Sequence, residues 1–293
     1  MKVGFIGLGR MGQGMAGRIN GAGHDLVIYD QVPELLTALG KAGATIANSV
    51  AETCADREVV IDMLPHDEAL EGLVFSDGGL LESLPAGAIH MPMGTHGVGI
   101  IRRLTEAHAA AGHILVAGHV LGRPDLAATG QLSIVPGGPP EVLEKLQPLF
   151  DVLGKRTFIA GTEPQAATAV KIAHNFVLGC AIEVIGEGIS LARKYGVEPA
   201  LFNEVLTKGL FGSPAYDIYG QIIVDEAYDK VGASVQIGIK DANLALAAGE
   251  LAGVPLPSCN VWRDRLLGAV AHGDGECDWA VMAREQARAS GLE

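Results

Sequence analysis

The sequence is poor in positive charge and in organised cysteine, and each shortage removes a class of function. Only 21 Lys and Arg stand against 34 Asp and Glu, a formal charge of −13 over 293 residues. That balance argues against nucleic acid or an anionic membrane as the main partner. It does not bar a small anionic ligand, which needs only local positive charge. The four cysteines, Cys54, Cys180, Cys259 and Cys277, show neither a C-x-x-C spacing nor a zinc pattern. They fit free thiols in a reducing, cytoplasmic compartment. No stretch of ~18 uninterrupted apolar residues is present, so no membrane span is expected. The first strand begins at Lys2, which leaves no room for a signal peptide on this reading. Internal repeats and low-complexity segments are absent as well. What remains is a chain that is 48% hydrophobic and 19% charged, able to bury a large core and long enough for two domains.

The most informative segment runs from Lys2 to Asp30. An apolar strand, Val3–Ile6, leads into Gly7-Leu8-Gly9-Arg10-Met11-Gly12, then a helical run, then a second apolar strand ending in Asp30. This is the G-x-G-x-x-G spacing in its proper context. Gly7 permits the tight turn and Gly9 lets backbone N–H groups approach a pyrophosphate. Gly12 lets the helix pack close to the strand. The helix N-terminus supplies partial positive charge, and Arg10 is within reach of a phosphate. Asp30 is placed to accept hydrogen bonds from a ribose diol. Its carboxylate would repel the 2′-phosphate of NADP, and Gln31, Val32 and Pro33 offer no arginine in compensation. NAD is therefore favoured, with NADP possible.

Up to about residue 160, apolar strands alternate with helical stretches, which predicts a doubly wound parallel sheet of Rossmann type with helices on both faces. The strands expected there include Ile114–Ala117, Leu132–Pro136 and Thr157–Ile159. After Gly161 strand signals cease and helical periodicity takes over from Pro164. The fold class is thus α/β, with a dinucleotide-binding domain over residues 1–161 and an all-helical substrate and dimerisation domain over 162–293. The first long helix, to about Tyr195, is apolar on more than one face. It is placed either in the domain core or between two subunits of a homodimer or homotetramer.

Within that helix stand Lys171, His174 and Asn175, whose spacing puts them on one face. Burying an ammonium is costly, so a lysine among apolar residues favours the neutral amine and becomes a usable general acid or base. The alternative is a lysine that snorkels to water.

These residues together resemble the β-hydroxyacid dehydrogenase family, which includes 3-hydroxyisobutyrate dehydrogenase, and its imine-reductase relatives. The resemblance spans essentially the whole chain. It rests on the Gly7–Gly12 loop with Met15-Ala16, on Met63-Leu64-Pro65, and on Gly130-Gln131-Leu132 leading to Pro136-Gly137-Gly138. Lys171 with Asn175 and Lys240-Asp241 complete the match. It implies an NAD(P)-dependent oxidoreductase acting on a small β-hydroxy acid or related alcohol, without a metal. Lys171 would be the proton-transfer lysine and Asn175 the amide that holds it or the substrate. Lys240 and the Met63, Leu64 and Pro65 loop would lie along the cofactor. Asp241 is read as an ordinary helix-stabilising acid.

Two departures bear on the substrate. The usual Ser-Thr pair of one loop is replaced by Met93-Gly94-Thr95-His96, where Gly94-Thr95 resembles imine reductases; Thr95 is counted with the cofactor-binding residues. A Ser-Gly-Gly that cradles the substrate carboxylate is replaced by Leu121-Gly122-Arg123. Arg123 either grips a carboxylate bidentately or faces solvent. His90, His96, His119 and His174 show no ligand spacing within one element, so a polar or anionic substrate pocket is expected there rather than a metal. Phe211 and Tyr216 are candidates for its wall, whereas Tyr219 is read as core. Two alternatives stay open: an imine or iminium reductase, and a non-catalytic dinucleotide sensor.

Overall fold

The computed structural model describes residues 1–292. By contacts the chain divides into two compact units, Met1–Lys171 and Ile172–Glu293.

The first unit carries nine strands: β1 (Lys2–Ile6), β2 (Asp25–Tyr29), β3 (Thr45–Ile46), β4 (Val59–Asp62), β5 (Ile89–Pro92), β6 (Ile114–Leu115), β7 (Ala117–Leu121), β8 (Leu132–Gly137) and β9 (Gly154–Thr157). Its helices are α1 (Arg10–Gly21), α2 (Pro33–Lys41), α3 (Val50–Cys54), α4 (Asp67–Phe75), α5 (Leu80–Ser83), α6 (Val98–Ala110), α7 (Pro124–Ala128) and α8 (Pro140–Leu153). The first six strands form one sheet in the order β3-β2-β1-β4-β5-β6, with every pair parallel. The order reverses between β1 and β4, the place where a doubly wound sheet opens a crevice beyond its strand ends.

Strand alternation builds both faces of that sheet. Val3, Phe5, Val59 and Ile61 point into a core with Met15, Ile19 and Leu146. Ile6 and Val60 point to the other face, among Leu70, Val74 and Leu104. A strand buried on both sides must read as a continuous apolar run, as β1 and β4 do. Each fully buried Leu, Ile or Phe stabilises by about 1.5–3 kcal/mol.

The expected parallel sheet is present, but the strand candidates after residue 113 require correction. Ile114–Ala117 is not one strand. It breaks after Leu115, and β7 leaves for a separate three-stranded sheet, β7-β8-β9, in which β7 and β8 run antiparallel. The short connection through Pro124–Ala128 is too brief for the crossover that a parallel neighbour requires. The last strand lies at Gly154–Thr157 rather than Thr157–Ile159.

The remaining helices are α9 (Pro164–Lys194), α10 (Pro199–Lys208), α11 (Pro214–Val224), α12 (Val235–Ala252), α13 (Pro257–Ala271) and α14 (Met282–Ala289), with a 3-10 turn at Trp279–Val281. The contact boundary falls inside α9 rather than at residue 161, because the first turns of α9 pack on the β7-β8-β9 layer: Ala167 meets Gly137 and Thr168 meets His119. By length and composition α9 is apolar enough to cross a membrane. In the helical unit Ile182, Ile185 and Ile189 are buried core residues. Its opposite side carries Val177, Val184 and Leu191, which are exposed in the single chain. Tyr219 is buried edge-on against Trp279.

Candidate active site

The three glycines of the first loop divide their work by what surrounds them. Gly7 sits at φ +89, a backbone region that glycine enters without penalty, and closes the turn with its N–H on the Tyr29 carbonyl at 3.1 Å. A Cβ on Gly12 would collide with the Gly7 carbonyl oxygen and lie 3.0 Å from its carbon, so the helix can approach the strand only without that atom. A Cβ on Gly9 would meet nothing within 4 Å. Gly9 is also the N-cap of α1, provides no side-chain cap, and is followed by no acidic residue in the first turn. An uncapped helix start facing open space is what a phosphate requires.

Asp30 is fixed over this loop. Its Oδ2 accepts the Leu8 N–H at 2.6 Å and its Oδ1 accepts the Val32 N–H at 2.8 Å. The carboxylate is held rigidly beside the loop with lone pairs remaining for a diol. Leu8 itself contributes backbone only, since its side chain is wholly buried in the core. Met63, Leu64 and Pro65 leave β4 at the reversal of strand order, where Met63 N–H bonds the Ile6 carbonyl at 2.9 Å. Arg10 is exposed and Met11 half-buried in the first turn of α1. These features fit a dinucleotide pyrophosphate on the loop and its ribose at Asp30.

In the same unit, Lys171 is half-buried and donates from Nζ to the Val120 carbonyl at 2.8 Å. That bond ties the lysine head to strand β7. Leu121-Gly122-Arg123 follows directly. Arg123 caps the start of α7 without a side-chain cap bond. Its Nη1 is buried and has no hydrogen-bond partner among the described residues. A buried guanidinium N–H with nothing to bond is costly, and a carboxylate is an acceptor that suits its geometry. Thr95 is half-buried in the loop after β5.

In the helical unit, Asn175 is buried and its Nδ2 donates to Asp241 Oδ2 at 2.7 Å. That bond fixes the amide, leaving its oxygen as an acceptor; His174 Nδ1 lies 3.3 Å from it. Asp241 also pairs with Lys240 Nζ at 3.0 Å. Asp241 is therefore no surface helix stabiliser, as the sequence reading held, but a buried acid that ties Asn175 to Lys240. Its preceding neighbour Lys240 was the available signal. Phe211 is exposed and stacks on Tyr216 at 5.2 Å between ring centroids. A cavity of about 490 Å³ in this unit, bordered by Ser190, Arg193 and Arg284, touches none of these residues.

Sequence reasoning missed a buried polar chain in the first unit. Asp62, the last residue of β4, holds His90 Nε2 at 2.8 Å, and His90 Nδ1 meets His108 Nε2 at 2.9 Å. Burial pushes the Asp62 carboxyl up to about 7, His90 down to about 3 and His108 down to about 2. All three effects arise because a charge loses its water. The imidazoles are neutral at ordinary pH. His119, expected with His90 and His96 around a polar pocket, is like them fully buried, and both its ring nitrogens are bonded within the protein. Among the described residues no cluster of metal-binding side chains occurs.

The reversed parallel sheet followed by a helical unit agrees with comparison to known proteins. Residues 2–161 match the NAD binding domain of 6-phosphogluconate dehydrogenase, and residues 166–285 match the NAD-binding region of NADP-dependent 3-hydroxyisobutyrate dehydrogenase. The chain belongs to the β-hydroxyacid dehydrogenase family. It is 36% identical to the uncharacterized oxidoreductase YfjR of Bacillus subtilis, over 97% of this chain and 99% of that one. It is 32% identical to 3-hydroxyisobutyrate dehydrogenase of Pseudomonas aeruginosa, over 94% and 93%. The crystal structure of 3-hydroxyisobutyrate dehydrogenase from Salmonella typhimurium shares the fold, with a TM-score of 0.85, 23% identity and coverage of 96% and 98%. The β-hydroxyacid dehydrogenase described here is thus an NAD(P)-dependent oxidoreductase of CH–OH groups.

Proposed function

We propose that this dehydrogenase oxidises a small β-hydroxy acid or related alcohol, or reduces the corresponding carbonyl, with Lys171 as general acid and base. The observation that carries this reading is the bond from Lys171 Nζ to the Val120 carbonyl. A neutral amine has two N–H groups and one lone pair. With one N–H committed to Val120, the lone pair is directed and can accept the substrate hydroxyl proton. In the reverse direction the ammonium keeps one N–H on Val120 and delivers another to the forming alkoxide. A bound nicotinamide supplies the hydride chemistry. The chain's part is to hold the proton at Lys171 Nζ, to orient the amide of Asn175 through Asp241, and to hold Lys240 by the same acid.

Arg123 is assigned to the substrate's acidic group, on the strength of its unpartnered buried Nη1. A guanidinium fork replaces the hydroxyl of the family's serine and shifts preference toward substrates whose carboxylate reaches it. His174 and Phe211 complete the proposed substrate contacts, and Thr95 the cofactor contacts. NAD is the preferred cofactor on the Asp30 argument. Residues 1–161 form the cofactor-binding domain of this proposal and 162–293 the substrate and dimerisation domain. The assembly is a homodimer, or a homotetramer of such pairs, joined through the apolar stripe of α9. The compartment is the cytoplasm, in keeping with four free thiols.

The test is a screen of hydroxy acids, sugar acids and cyclic imines with NAD and NADP side by side, followed by Lys171→Ala on the best substrate. Turnover should fall by a factor on the order of a hundred or more while NADH affinity is unchanged. Full activity in that variant refutes the proton-transfer role.

A further inference from the structure

We infer that His119 is a positioning residue, which joins the loop after β5 to the face of α9 that carries Lys171 and so sets where the lysine stands relative to the cofactor loop. The inference rests on the Lys171 reading given above.

His119 lies on β7 and is wholly buried. Its Nδ1 is 2.6 Å from the Gly94 carbonyl and its Nε2 is 2.8 Å from Thr168 Oγ1. A carbonyl only accepts, so Nδ1 carries the proton. When the ring is neutral, Nε2 is an acceptor for the Thr168 hydroxyl, which also lies 3.5 Å from the Pro164 carbonyl. Both ring nitrogens are engaged.

Both ends of this bridge lead to the site. Gly94 is packed so tightly that a Cβ there would strike the Leu64 carbonyl oxygen, so its carbonyl moves with the cofactor loop. Thr168 is fully buried and stands three residues before Lys171 on α9, on the same helical face. The next residue of β7, Val120, supplies the carbonyl that Lys171 Nζ bonds. The dipeptide His119-Val120 thus grips α9 at two points one turn apart, by side chain at Thr168 and by backbone at Lys171. A ring with two divergent nitrogens spans the gap between Gly94 and Thr168; an apolar residue of equal size would strip the Gly94 carbonyl of the ring's N–H and leave the Thr168 hydroxyl only the Pro164 carbonyl at 3.5 Å.

The test is a set of double-mutant cycles on the full-length enzyme, using the hydroxy acid identified by the screen. Thr168→Val keeps the volume and deletes the hydroxyl; His119→Phe deletes both bonds; His119→Gln offers one donor and one acceptor in their place. Thr168→Val and His119→Phe should each lower kcat by about tenfold or more, because a misplacement of about 1 Å is worth up to a hundredfold. NADH affinity by fluorescence titration should stay within about twofold, and His119→Gln should recover most of the loss. In a Lys171→Ala background Thr168→Val should cost less than about twofold, since a residue acting through the lysine has nothing left to act on. Equal losses in both backgrounds would reduce His119 and Thr168 to general fold support and overturn the inference. So would an inactive Lys171→Ala alongside a fully active Thr168→Val. A fully active Lys171→Ala would instead overturn the reading beneath, and this inference with it. Should His119→Phe not fold, Thr168→Val decides alone.

Discussion

Adding one methyl group to the glycine loop should have different consequences three residues apart: at Gly9 for binding, at Gly12 for stability. At Gly9 a Cβ meets nothing within 4 Å, and the backbone at φ −65, ψ −164 suits any L residue. Gly9→Ala loses about 0.5–1 kcal/mol as an N-cap and regains about 0.4–1 kcal/mol by stiffening the unfolded chain. The melting temperature should move by no more than roughly 2–4 °C. The methyl does occupy the space a pyrophosphate needs. Losing one charge-assisted N–H to phosphate bond is worth about 1.5–3 kcal/mol, so NADH should bind roughly tenfold to a hundredfold more weakly. At Gly12 the Cβ would overlap the Gly7 carbonyl oxygen and lie 3.3 Å from the Phe5 ring. Both are rigid parts of a packed corner, so α1 must lift from the sheet. Overpacking of this kind costs about 3 kcal/mol, a drop on the order of 5–10 °C. Scanning calorimetry and NADH fluorescence titration on both variants separate the two effects. A Gly9→Ala protein that bound NADH as tightly as the wild type would show that no phosphate rests on this loop. A Gly12→Ala protein with unchanged melting temperature would refute the close-packing argument.

Three further outcomes follow from the geometry. Asp30→Ser should narrow the preference of kcat/KM for NAD over NADP by about tenfold or more, since it removes the charge facing a 2′-phosphate; steady-state assays with both cofactors check it. Burial holds His108 neutral down to about pH 2, whereas the unfolded chain takes up that proton near its ordinary 6.5. Between these values the unfolded state binds one more proton, so this group's contribution is present above about pH 6.5 and is lost as pH falls. Replacing His108 by Asn should remove about 1.4 kcal/mol per pH unit from the slope of stability against pH in that window; denaturant melts from pH 4 to 7 measure it, and an unchanged slope contradicts it. Finally, Val177→Glu with Val184→Glu should convert the proposed homodimer to monomers in analytical ultracentrifugation, because a desolvated carboxylate would have no partner in the proposed apolar seam. A double variant that still sediments as an oligomer would place the interface elsewhere.

The local chemistry of this protein is written in its sequence. Val3–Ile6, the three glycines and Asp30 lie within about thirty consecutive residues, and the backbone freedom of glycine and the two-residue period of a strand are properties of neighbours in the chain. Hence the strand, turn, helix and acid could be read directly, as could a long apolar helix carrying Lys171 and Asn175. Only the tertiary structure decided what these residues touch. β7 turns away from the parallel sheet after Leu115 because its hydrogen-bonding partner is β8, and a pairing between segments cannot be inferred from either alone. That departure places Val120 under Lys171 and His119 between Gly94 and Thr168. Asp241 reads like any helix acid until folding buries it against Asn175, 66 residues away. Asp62, His90 and His108 show no common motif, since they meet only when β4, β5 and α6 pack. The sequence carries what adjacent residues impose on one another; burial, proton affinity and the company of Lys171 arise when distant segments exclude water together.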